Sequence, residues 1–321
     1  MIADVVARFC DTQLGSSVAG AHFYLASAGC VLGLRLDSGD DIVIKAYQER
    51  WSEPFLRAAQ SAQHSAAHAG IPCARPLRPP APLPGRRGLA VVETWVPDAG
   101  MRPLAGDEER RASAAGLARQ IAACTGDDTD GDDSARPGLA EHPMRQDAGR
   151  LYPEPHSPLF DFTLETPMGA QVDEMALVAR RVRDEGDEPE VVAHLDWSAR
   201  NVRVEGGRLA AVYDWDSVGL ARESTAVGQA AMTWSVTSEP GGEVFPTLDE
   251  VVAYACAYED AAGHRLGDQQ WRAAGAAALY LLAYTARCEL AADAARIAGV
   301  QHGARDRFVD AGEALLALRR P

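Results

Sequence analysis

Two adjacent glycines, Gly206 and Gly207, lie between two short, mostly apolar runs, VRVE at 202–205 and RLAAVY at 208–213. A two-residue hairpin turn needs positive φ angles at both central positions, and glycine adopts such angles without steric cost. The runs on either side have the length and composition of strands. The sequence therefore predicts an antiparallel hairpin over these residues.

The hairpin is expected to bring three polar residues together. If the residues that flank the two glycines pair with each other, Asn201 falls opposite Val212, and Asp214 lies one same-face step beyond it. Upstream, 191–193 (VVA) has the pattern of a short buried strand, and Asp196 begins a tight loop that ends at Asn201. We therefore expect all three side chains to face one cavity.

These side chains suit magnesium and phosphate chemistry. Mg²⁺ prefers oxygen ligands and is usually held by one or two carboxylates together with substrate phosphates and water. Asn201 and Asp214 can supply such oxygens, which leaves Asp196 to accept a hydrogen bond from an attacking hydroxyl group. Asp216 either approaches the same metal or caps the segment that follows it. Taken singly, each residue is more typical of a turn or a helix cap, so the indication comes from the group.

The spacing H-x-D-x-x-x-x-N at 194–201, followed after the hairpin by D-W-D at 214–216, resembles the aminoglycoside phosphotransferase family. Its members are small-molecule kinases with a protein-kinase-like fold. The resemblance implies a bilobal α+β fold, with a small β-rich N-terminal lobe and a larger, mainly helical C-terminal lobe. The expected limits are 1–93 for the nucleotide-binding lobe, 94–100 for a hinge and 101–321 for the catalytic and substrate-binding lobe.

The resemblance also implies roles for the residues of the motif. Asp196 would orient or deprotonate the acceptor hydroxyl, and Asn201 and Asp214 would hold Mg²⁺. His194 would be a buried, structural member of the loop. Leu195 departs from the glycine that the family often has at this position, and the change is expected to alter the packing of the loop rather than its chemistry.

Three strand patterns and a lysine mark the N-terminal lobe. HFYLA (22–26), CVLGLRL (30–36) and DIVIKAY (41–47) are strand-like, and 38–40 makes a turn between the last two. By resemblance, Lys45 corresponds to the lysine on the third strand of a kinase and would bind the α- and β-phosphates of the nucleotide. Without the downstream motif, a single lysine on a strand is usually an edge or solvated residue.

Two features depart from the kinase pattern. The next helix, 54–69, lacks the acidic residue expected to pair with the lysine, so Gln60, or Glu53 at the helix start, is the candidate partner. The glycine-rich phosphate loop is also reduced: ASAG at 26–29 is the best candidate, with Gly33 further along the next strand. By itself, ASAG is more typical of an ordinary hairpin turn.

A buried strand that runs into a linker is predicted at 89–97 (LAVVETWVP), and the proline- and arginine-rich stretch 71–88 before it is expected to be a surface connection. By resemblance, the end of this strand would offer backbone N–H and C=O groups to the purine of the nucleotide. The residues concerned are Glu93, Thr94, Trp95 and Val96. Backbone contacts leave little trace in side chains, so ATP and GTP both stay open as donors.

The rest of the chain is mostly helical in pattern. Apolar residues recur at helical spacing in five segments, 108–124, 171–183, 248–262, 268–291 and 304–319. Between the first two, 125–158 contains five aspartates within 127–133 and several prolines. This composition predicts an irregular loop that either covers the substrate or is disordered.

The acceptor of the phosphate is the least defined element. Acidic candidates for binding an amine-bearing ligand are Asp161, Glu165, Glu223 and Glu289, although each is more typical of a solvated carboxylate. By resemblance, the acceptor is a hydroxyl of an aminoglycoside or another antibiotic. The alternatives are an ordinary metabolite such as choline or homoserine, and a non-catalytic nucleotide-binding protein, because the helix carboxylate is missing and the glycine loop is poor.

Composition limits the partners and the location. With 31 basic and 46 acidic residues, the net charge of −15 argues against nucleic acid and is compatible with a cationic substrate or simply with solubility. The N-terminus lacks the apolar core of a secretory signal, and the longest apolar run, 273–286, is too short to span a membrane. Six scattered cysteines predict neither a zinc site nor a disulfide framework, so a cytoplasmic location is expected.

Overall fold

The structure is a computed structural model that describes residues 2–26, 29–97, 102–125, 135–143, 149–155, 160–237, 244–297 and 303–321. The chain divides into two compact units. The first comprises Met1–Pro97 and Asp127–Arg145, and the second comprises Asp98–Gly126 and Gln146–Pro321. The limits expected for the two lobes and the hinge stay predictions, and half of the predicted loop at 125–158 lies outside the described residues.

The secondary structure combines a strand-rich first unit with a mainly helical second unit. The helices are α1 (Ile2–Phe9), α2 (Glu53–His68), α3 (Gly106–Thr125), α4 (Ala135–Leu139), α5 (Pro167–Asp184), α6 (Glu223–Thr233), α7 (Leu248–Ala262), α8 (Asp268–Ala294) and α9 (Gly303–Leu316). The strands are β1 (Val18–Ala26), β2 (Cys30–Leu36), β3 (Asp41–Tyr47), β4 (Pro76–Pro82), β5 (Leu89–Thr94), β6 (Glu190–His194), β7 (Val202–Glu205), β8 (Arg208–Val212) and β9 (Val218–Arg222).

Within the described residues, the first unit is built on an antiparallel sheet of five strands in the order β1-β2-β3-β5-β4. Successive side chains of a strand point to opposite faces of the sheet. On one face, Leu34 and Ile44 are buried and pack in a core with Phe9 from the N-terminal helix. The opposite face carries the odd-numbered residues of β3 and β5, which include Lys45 and Glu93.

The sequence predicted that 71–88 is a surface connection, but the structure differs in this segment. Its centre forms β4, which pairs with β5 at the edge of the sheet. Proline lacks a backbone N–H, so it is tolerated in edge strands and at irregularities, and two register shifts interrupt this pairing. β5 itself ends at Thr94 rather than continuing to Pro97.

Local sequence signals set the helix ends where they were expected. α2 begins after Ser52, whose hydroxyl accepts a hydrogen bond from the Phe55 N–H at 3.2 Å. α7 begins with a capping box formed by Thr247 and Glu250. Gly263 ends the same helix with a φ of 74°, which favours glycine. The predicted helix at 248–262 is therefore confirmed, including both of its ends.

In the second unit, α8 packs against α5, α6 and α9. Glycines allow two of these helices to approach it closely. A Cβ added to Gly228 of α6 would overlap the Ala274 carbonyl oxygen, and a Cβ added to Gly275 of α8 would overlap the Leu315 carbonyl oxygen. The backbones of α6, α8 and α9 therefore lie in direct contact at these positions, and glycine is the residue that fits there.

The state of the cysteine thiols follows from their burial. The six cysteines are free. Burial raises the pKa of the Cys10 thiol to about 11, helped by the charge of Asp11, and burial raises that of Cys124 to about 11 as well. Both thiols are therefore protonated at neutral pH. No helix in the described ranges is long and apolar enough to cross a membrane.

We predict that Gly228→Ala destabilises the second unit. The new methyl group has to push α6 away from α8, and overpacking of this kind costs about 2 kcal/mol. Urea unfolding followed by circular dichroism measures the loss in the free energy of unfolding. Gly267→Ser is the control, because a Cβ added there meets Gln270 Oε1 at an ordinary 3.7 Å. Wild-type stability of Gly228→Ala would contradict the close packing.

Candidate active site

The predicted hairpin is present, and its turn has the conformation that two glycines allow. Gly206 and Gly207 have φ angles of 52° and 67°, as a two-residue turn with two positive φ angles requires. β7 and β8 run antiparallel, with Glu205 opposite Arg208. The predictions of the hairpin and of the pairing next to its turn are confirmed.

Further from the turn, the register differs from the prediction by one residue. Val202, and not Asn201, lies opposite Val212. The cause is an irregularity in the ladder: β8 has one extra residue, Ala210, between the pairs on either side of it. Asn201 instead accepts a hydrogen bond at its carbonyl oxygen from the Tyr213 N–H at 2.8 Å. Backbone pairing between the two arms of the hairpin therefore continues as far as the loop that ends at Asn201, where Asn201 lies beside Tyr213.

Asp196 and Asn201 are joined directly by their side chains. Asn201 Nδ2 donates to Asp196 Oδ2 at 2.8 Å and to the Asp196 carbonyl oxygen at 3.1 Å. Ser198 Oγ adds a second hydrogen bond, to Asp196 Oδ1, at 3.0 Å. Both bonds from Asn201 use its amide nitrogen, so its amide oxygen keeps its lone pairs for a cation. Each carboxylate oxygen of Asp196 also keeps a lone pair for a further donor.

Asp214 directly follows Tyr213, and it has an unusual backbone. Its φ of 60° and ψ of 50° lie in the left-handed region, which costs a residue with a Cβ about 1 to 2 kcal/mol. A short 3-10 turn follows, in which the Ser217 N–H donates to the Asp214 carbonyl oxygen at 2.9 Å. Strain of this kind occurs at functional sites, where the surrounding structure fixes the direction of a side chain.

An amide oxygen, as in Asn201, and a carboxylate, as in Asp214, are oxygen ligands of the kind that Mg²⁺ prefers. The part of the chain that the structure describes contains no group of three His, Cys, Asp or Glu side chains that could hold a metal ion by themselves. A cation at Asn201 and Asp214 would therefore complete its coordination with phosphate and water, as Mg²⁺ usually does. Asp216 lies in the 3-10 turn that follows.

His194 is a buried residue, as expected, with an exposure of 1%. Its Nε2 donates to the Tyr213 carbonyl oxygen at 2.9 Å, and its backbone N–H donates to Gln120 Oε1 at 2.9 Å. These two bonds connect the end of β6 to the end of β8 and to α3. The expectation of a buried histidine is confirmed.

Two supporting residues of the loop are missed by the sequence analysis. Ser198 binds the carboxylate of Asp196, and a serine two residues after an aspartate is a common turn signal that could have indicated it. Trp197 is 1% exposed, and its indole N–H donates to the Ser113 carbonyl oxygen at 3.0 Å, in α3. The loop between Asp196 and Asn201 is thus anchored in the core of the second unit.

In the first unit, Lys45 forms an ion pair with Glu93. Lys45 Nζ and Glu93 Oε1 are 3.9 Å apart, and each side chain is 9% exposed. Lys45 lies opposite Val91, and Glu93 lies opposite Val43, so the two charged residues are diagonal neighbours across β3 and β5. Long side chains reach one another at such positions. Within the first unit, a carboxylate from a strand therefore pairs with the lysine.

The acidic partner is not in α2, where the sequence analysis looked for it. Glu53, the one carboxylate in that helix, accepts a hydrogen bond from Arg57 Nη2 at 2.6 Å. Gln60 Nε2 donates to the Arg78 carbonyl oxygen at 3.0 Å. A carboxylate from the helix was expected because protein kinases pair their strand lysine in this way. That pattern does not indicate the pairing of β3 with β5, which brings Glu93 close to Lys45.

Gly33 does not offer open backbone to a phosphate. A Cβ added at Gly33 would overlap the rings of Trp95 and Phe23, so aromatic side chains cover this position. A Cβ added at Gly29 would lie 2.5 Å from the Ala46 carbonyl oxygen. Close packing against β3 therefore explains why this position is a glycine. The middle of the candidate phosphate loop, 27–28, lies outside the described residues.

Two of the backbone N–H groups expected to contact a purine are engaged inside the first unit. The Thr94 N–H donates to the Arg75 carbonyl oxygen at 2.9 Å, and the Trp95 N–H donates to the Asp41 carbonyl oxygen at 3.3 Å. The carbonyl groups of these residues and the backbone of Val96 stay predicted contacts. The hinge segment 98–100 lies outside the described residues.

Three of the four acidic candidates for an amine-bearing ligand have partners inside the second unit. Asp161 accepts hydrogen bonds from the Thr163 N–H at 2.9 Å and from the Thr163 hydroxyl at 2.6 Å. Glu289 is 4% exposed and accepts hydrogen bonds from the Ala304 and Arg305 N–H groups, which caps the start of α9. Glu223 accepts a hydrogen bond from the Tyr258 hydroxyl at 2.6 Å. Glu289 is therefore a buried helix-capping residue rather than the solvated carboxylate that was the more typical expectation.

Comparison with known proteins identifies the family. The sequence model of the APH phosphotransferase enzyme family matches residues 34–250. This is more than half of the chain, and the chain belongs to that family. The protein is therefore an enzyme, a small-molecule phosphotransferase, as predicted, and the non-catalytic alternative is wrong. A search of curated proteins finds no match.

Several solved structures share the fold. One is amicoumacin kinase hAmiN in complex with AMP-PNP, Ca²⁺ and Ami, with 12% identity and a TM-score of 0.61 over 92% of this chain and 87% of that chain. A thermostable mutant of aminoglycoside phosphotransferase APH(4)-Ia has 15% identity and a TM-score of 0.58, covering 97% and 98%. A choline/ethanolamine kinase family protein from Mesorhizobium loti has 14% identity and a TM-score of 0.58, covering 98% and 95%. These likenesses confirm the predicted bilobal, kinase-like α+β fold.

We predict that glycine at position 214 gives a more stable protein than alanine does. The left-handed backbone, with a φ of 60°, strains a residue that has a Cβ, and glycine relieves roughly 1 kcal/mol of this strain. Urea denaturation of Asp214→Gly and Asp214→Ala isolates the backbone effect, because both variants lack the carboxylate. Greater stability of Asp214→Ala would contradict the backbone conformation.

Proposed function

We propose that the protein transfers the γ-phosphate of ATP or GTP, in the presence of Mg²⁺, to a hydroxyl group of a small molecule. The observation that carries the proposal is the hydrogen-bonded pair of Asp196 and Asn201, at 2.8 Å, with Asp214 next to the Tyr213 N–H that binds Asn201. Kinase chemistry uses the same groups: one carboxylate acts on the acceptor hydroxyl, and an amide and a second carboxylate hold the metal.

Asp196 acts on the acceptor. Hydrogen bonds from Asn201 and Ser198 hold both of its carboxylate oxygens, so its orientation is set before the substrate binds. It accepts a hydrogen bond from the acceptor hydroxyl and takes the proton as the hydroxyl oxygen bonds to the γ-phosphorus. The bond from that phosphorus to the oxygen shared with the β-phosphate breaks, and a nucleoside diphosphate leaves.

Asn201 and Asp214 hold the metal. When bound, Mg²⁺ neutralises charge on the phosphates of the nucleotide. The bonds from Asn201 Nδ2 to Asp196 keep the amide nitrogen on the acceptor side and commit the amide oxygen to the cation. The left-handed backbone of Asp214 restricts the direction of its carboxylate. The nucleotide contacts of Lys45, with the α- and β-phosphates, follow from the family pattern.

The acceptor is proposed to be a hydroxyl of an antibiotic such as an aminoglycoside. A net charge of −15 favours a cationic substrate over an anionic one. Two of the similar structures are an amicoumacin kinase and an aminoglycoside phosphotransferase. The alternative is an ordinary metabolite such as choline or homoserine, because a choline/ethanolamine kinase family protein has the same TM-score, 0.58, as the aminoglycoside phosphotransferase. A cytoplasmic location supplies the nucleotide that either reaction needs.

The proposal is tested by incubating the protein with Mg²⁺ and either ATP or GTP, together with a panel of hydroxylated antibiotics and metabolites. The expected product is an acceptor that gains the mass of one phosphate group, detected by mass spectrometry. The same panel decides between antibiotics and metabolites. Consumption of the nucleotide without a phosphorylated product from any acceptor would count against transfer to a small molecule.

Asp196→Ala is predicted to lower the turnover number by about 100-fold or more, because general acid and base groups contribute at least this much. Nucleotide binding, measured by calorimetry, should stay close to that of the wild type, since Asp196 does not hold the phosphates. Asp260→Ala is the matched control, an acidic residue of the same unit with a side chain that is 69% exposed. Wild-type turnover by Asp196→Ala would reject the role assigned to it.

Asp214→Ala is predicted to weaken the binding of the nucleotide in the presence of Mg²⁺ by roughly tenfold or more, as expected for the loss of a group that holds the metal. Titration of the nucleotide with Mg²⁺, and again with a chelator, measures the part of the affinity that depends on the metal. The variant should lose that part alone. Equal metal dependence in wild type and Asp214→Ala would exclude Asp214 as a ligand.

A further inference from the structure

The pair formed by Lys45 and Glu93 lies inside one sheet of the first unit. The two strands that carry it are hydrogen-bonded neighbours, with Val43 opposite Glu93 and Val91 opposite Lys45. β5 is also paired on its other side, where Pro76 of β4 lies opposite Glu93. The backbone at Glu93 is therefore held between two strands, and its side chain emerges from the sheet at a fixed place and on a fixed face.

Both side chains are nearly removed from solvent, with 9% exposure each. A charge in such a position is costly unless an opposite charge compensates for it, and the loss of one partner leaves the other uncompensated. The ammonium and carboxylate groups are 3.9 Å apart, which is close enough for electrostatic attraction. This attraction restricts where the ammonium group of Lys45 can lie.

The helix that would supply this carboxylate in a protein kinase does not do so here. α2 contains one acidic residue, Glu53, and this residue binds Arg57 at the exposed start of the helix. In protein kinases, the pairing of the strand lysine with a helix glutamate depends on the position of that helix. In this chain both partners belong to one sheet, so their pairing does not depend on the movement of a helix.

We infer that the side chain of Glu93 is the positioning residue for Lys45. It holds the ammonium group on the face of the sheet from which the lysine binds the α- and β-phosphates, and it takes the place of the carboxylate that α2 does not supply. Because the pair is formed within the sheet, the lysine is in position before the nucleotide arrives. This inference rests on the proposed function, and it assigns Glu93 a role through its carboxylate in addition to its backbone.

The test compares Glu93→Gln with the wild type in the full-length protein. The substitution keeps the shape of the side chain and removes its charge. With Mg²⁺ and a non-hydrolysable analogue of ATP or GTP, the affinity measured by calorimetry is expected to fall by roughly tenfold or more, as for the loss of one member of a buried charge pair. The affinity for the corresponding nucleoside, which has no phosphates for Lys45 to bind, is expected to stay unchanged.

Two further variants separate positioning from a general loss of structure. Lys45→Met removes the lysine, and if Glu93 acts through the lysine, the double variant should bind the analogue no more weakly than Lys45→Met alone. Glu93→Asp keeps the charge one methylene further away and should recover part of the affinity, so the inference stays testable if Glu93→Gln folds poorly. Glu53→Gln, with its exposed carboxylate, is the matched control and should bind like the wild type.

The outcomes distinguish this inference from the proposed function. If Lys45→Met loses affinity and Glu93→Gln does not, nucleotide binding stands and the role of Glu93 is overturned. An equal loss of nucleoside and analogue affinity in Glu93→Gln also overturns it, because the effect would then not pass through the phosphates. If the wild type binds neither analogue, the proposed function fails first, and the inference falls with it.

Discussion

The hydrogen bond from Asn201 Nδ2 to Asp196 Oδ2, 2.8 Å long, is the interaction on which the rest of the candidate site depends. It joins the loop after β6 to the start of the hairpin, so one bond orients both a carboxylate and an amide. The amide nitrogen faces the acid, and the amide oxygen is therefore available to a cation. Trp197, buried between these residues and bonded to α3 through Ser113, anchors the loop that makes this bond possible.

Much of this arrangement could be predicted from sequence because the signals are local. Gly206 and Gly207 specify the hairpin turn through their φ angles. The limits of α7 follow from a capping box at Thr247 and a glycine at 263. Four strands of the first unit, β1, β2, β3 and β5, follow from short runs of strand-forming residues. The spacing of Asp196 and Asn201 carries the family resemblance, which the match over residues 34–250 confirms.

What could not be predicted depends on contacts between residues distant in the sequence or on residues without a strong local preference. An alanine does not indicate an irregularity in a strand ladder, so the shift in register that the extra residue Ala210 causes could not be predicted. The pairing of Lys45 with Glu93 depends on which strands become neighbours and in what register. β4 is rich in proline, which usually indicates a loop, and it forms a strand because it lies at the sheet edge.

A crystal structure of the protein with Mg²⁺ and a non-hydrolysable nucleotide tests the central claim most directly. The account predicts that Asn201 Oδ1 and the Asp214 carboxylate bind the ion, while Asn201 Nδ2 still donates to Asp196. The carboxylate of Asp196 is then directed at the acceptor rather than at the metal. A complex in which Asp196 binds the ion and its hydrogen bond with Asn201 is broken would contradict the account.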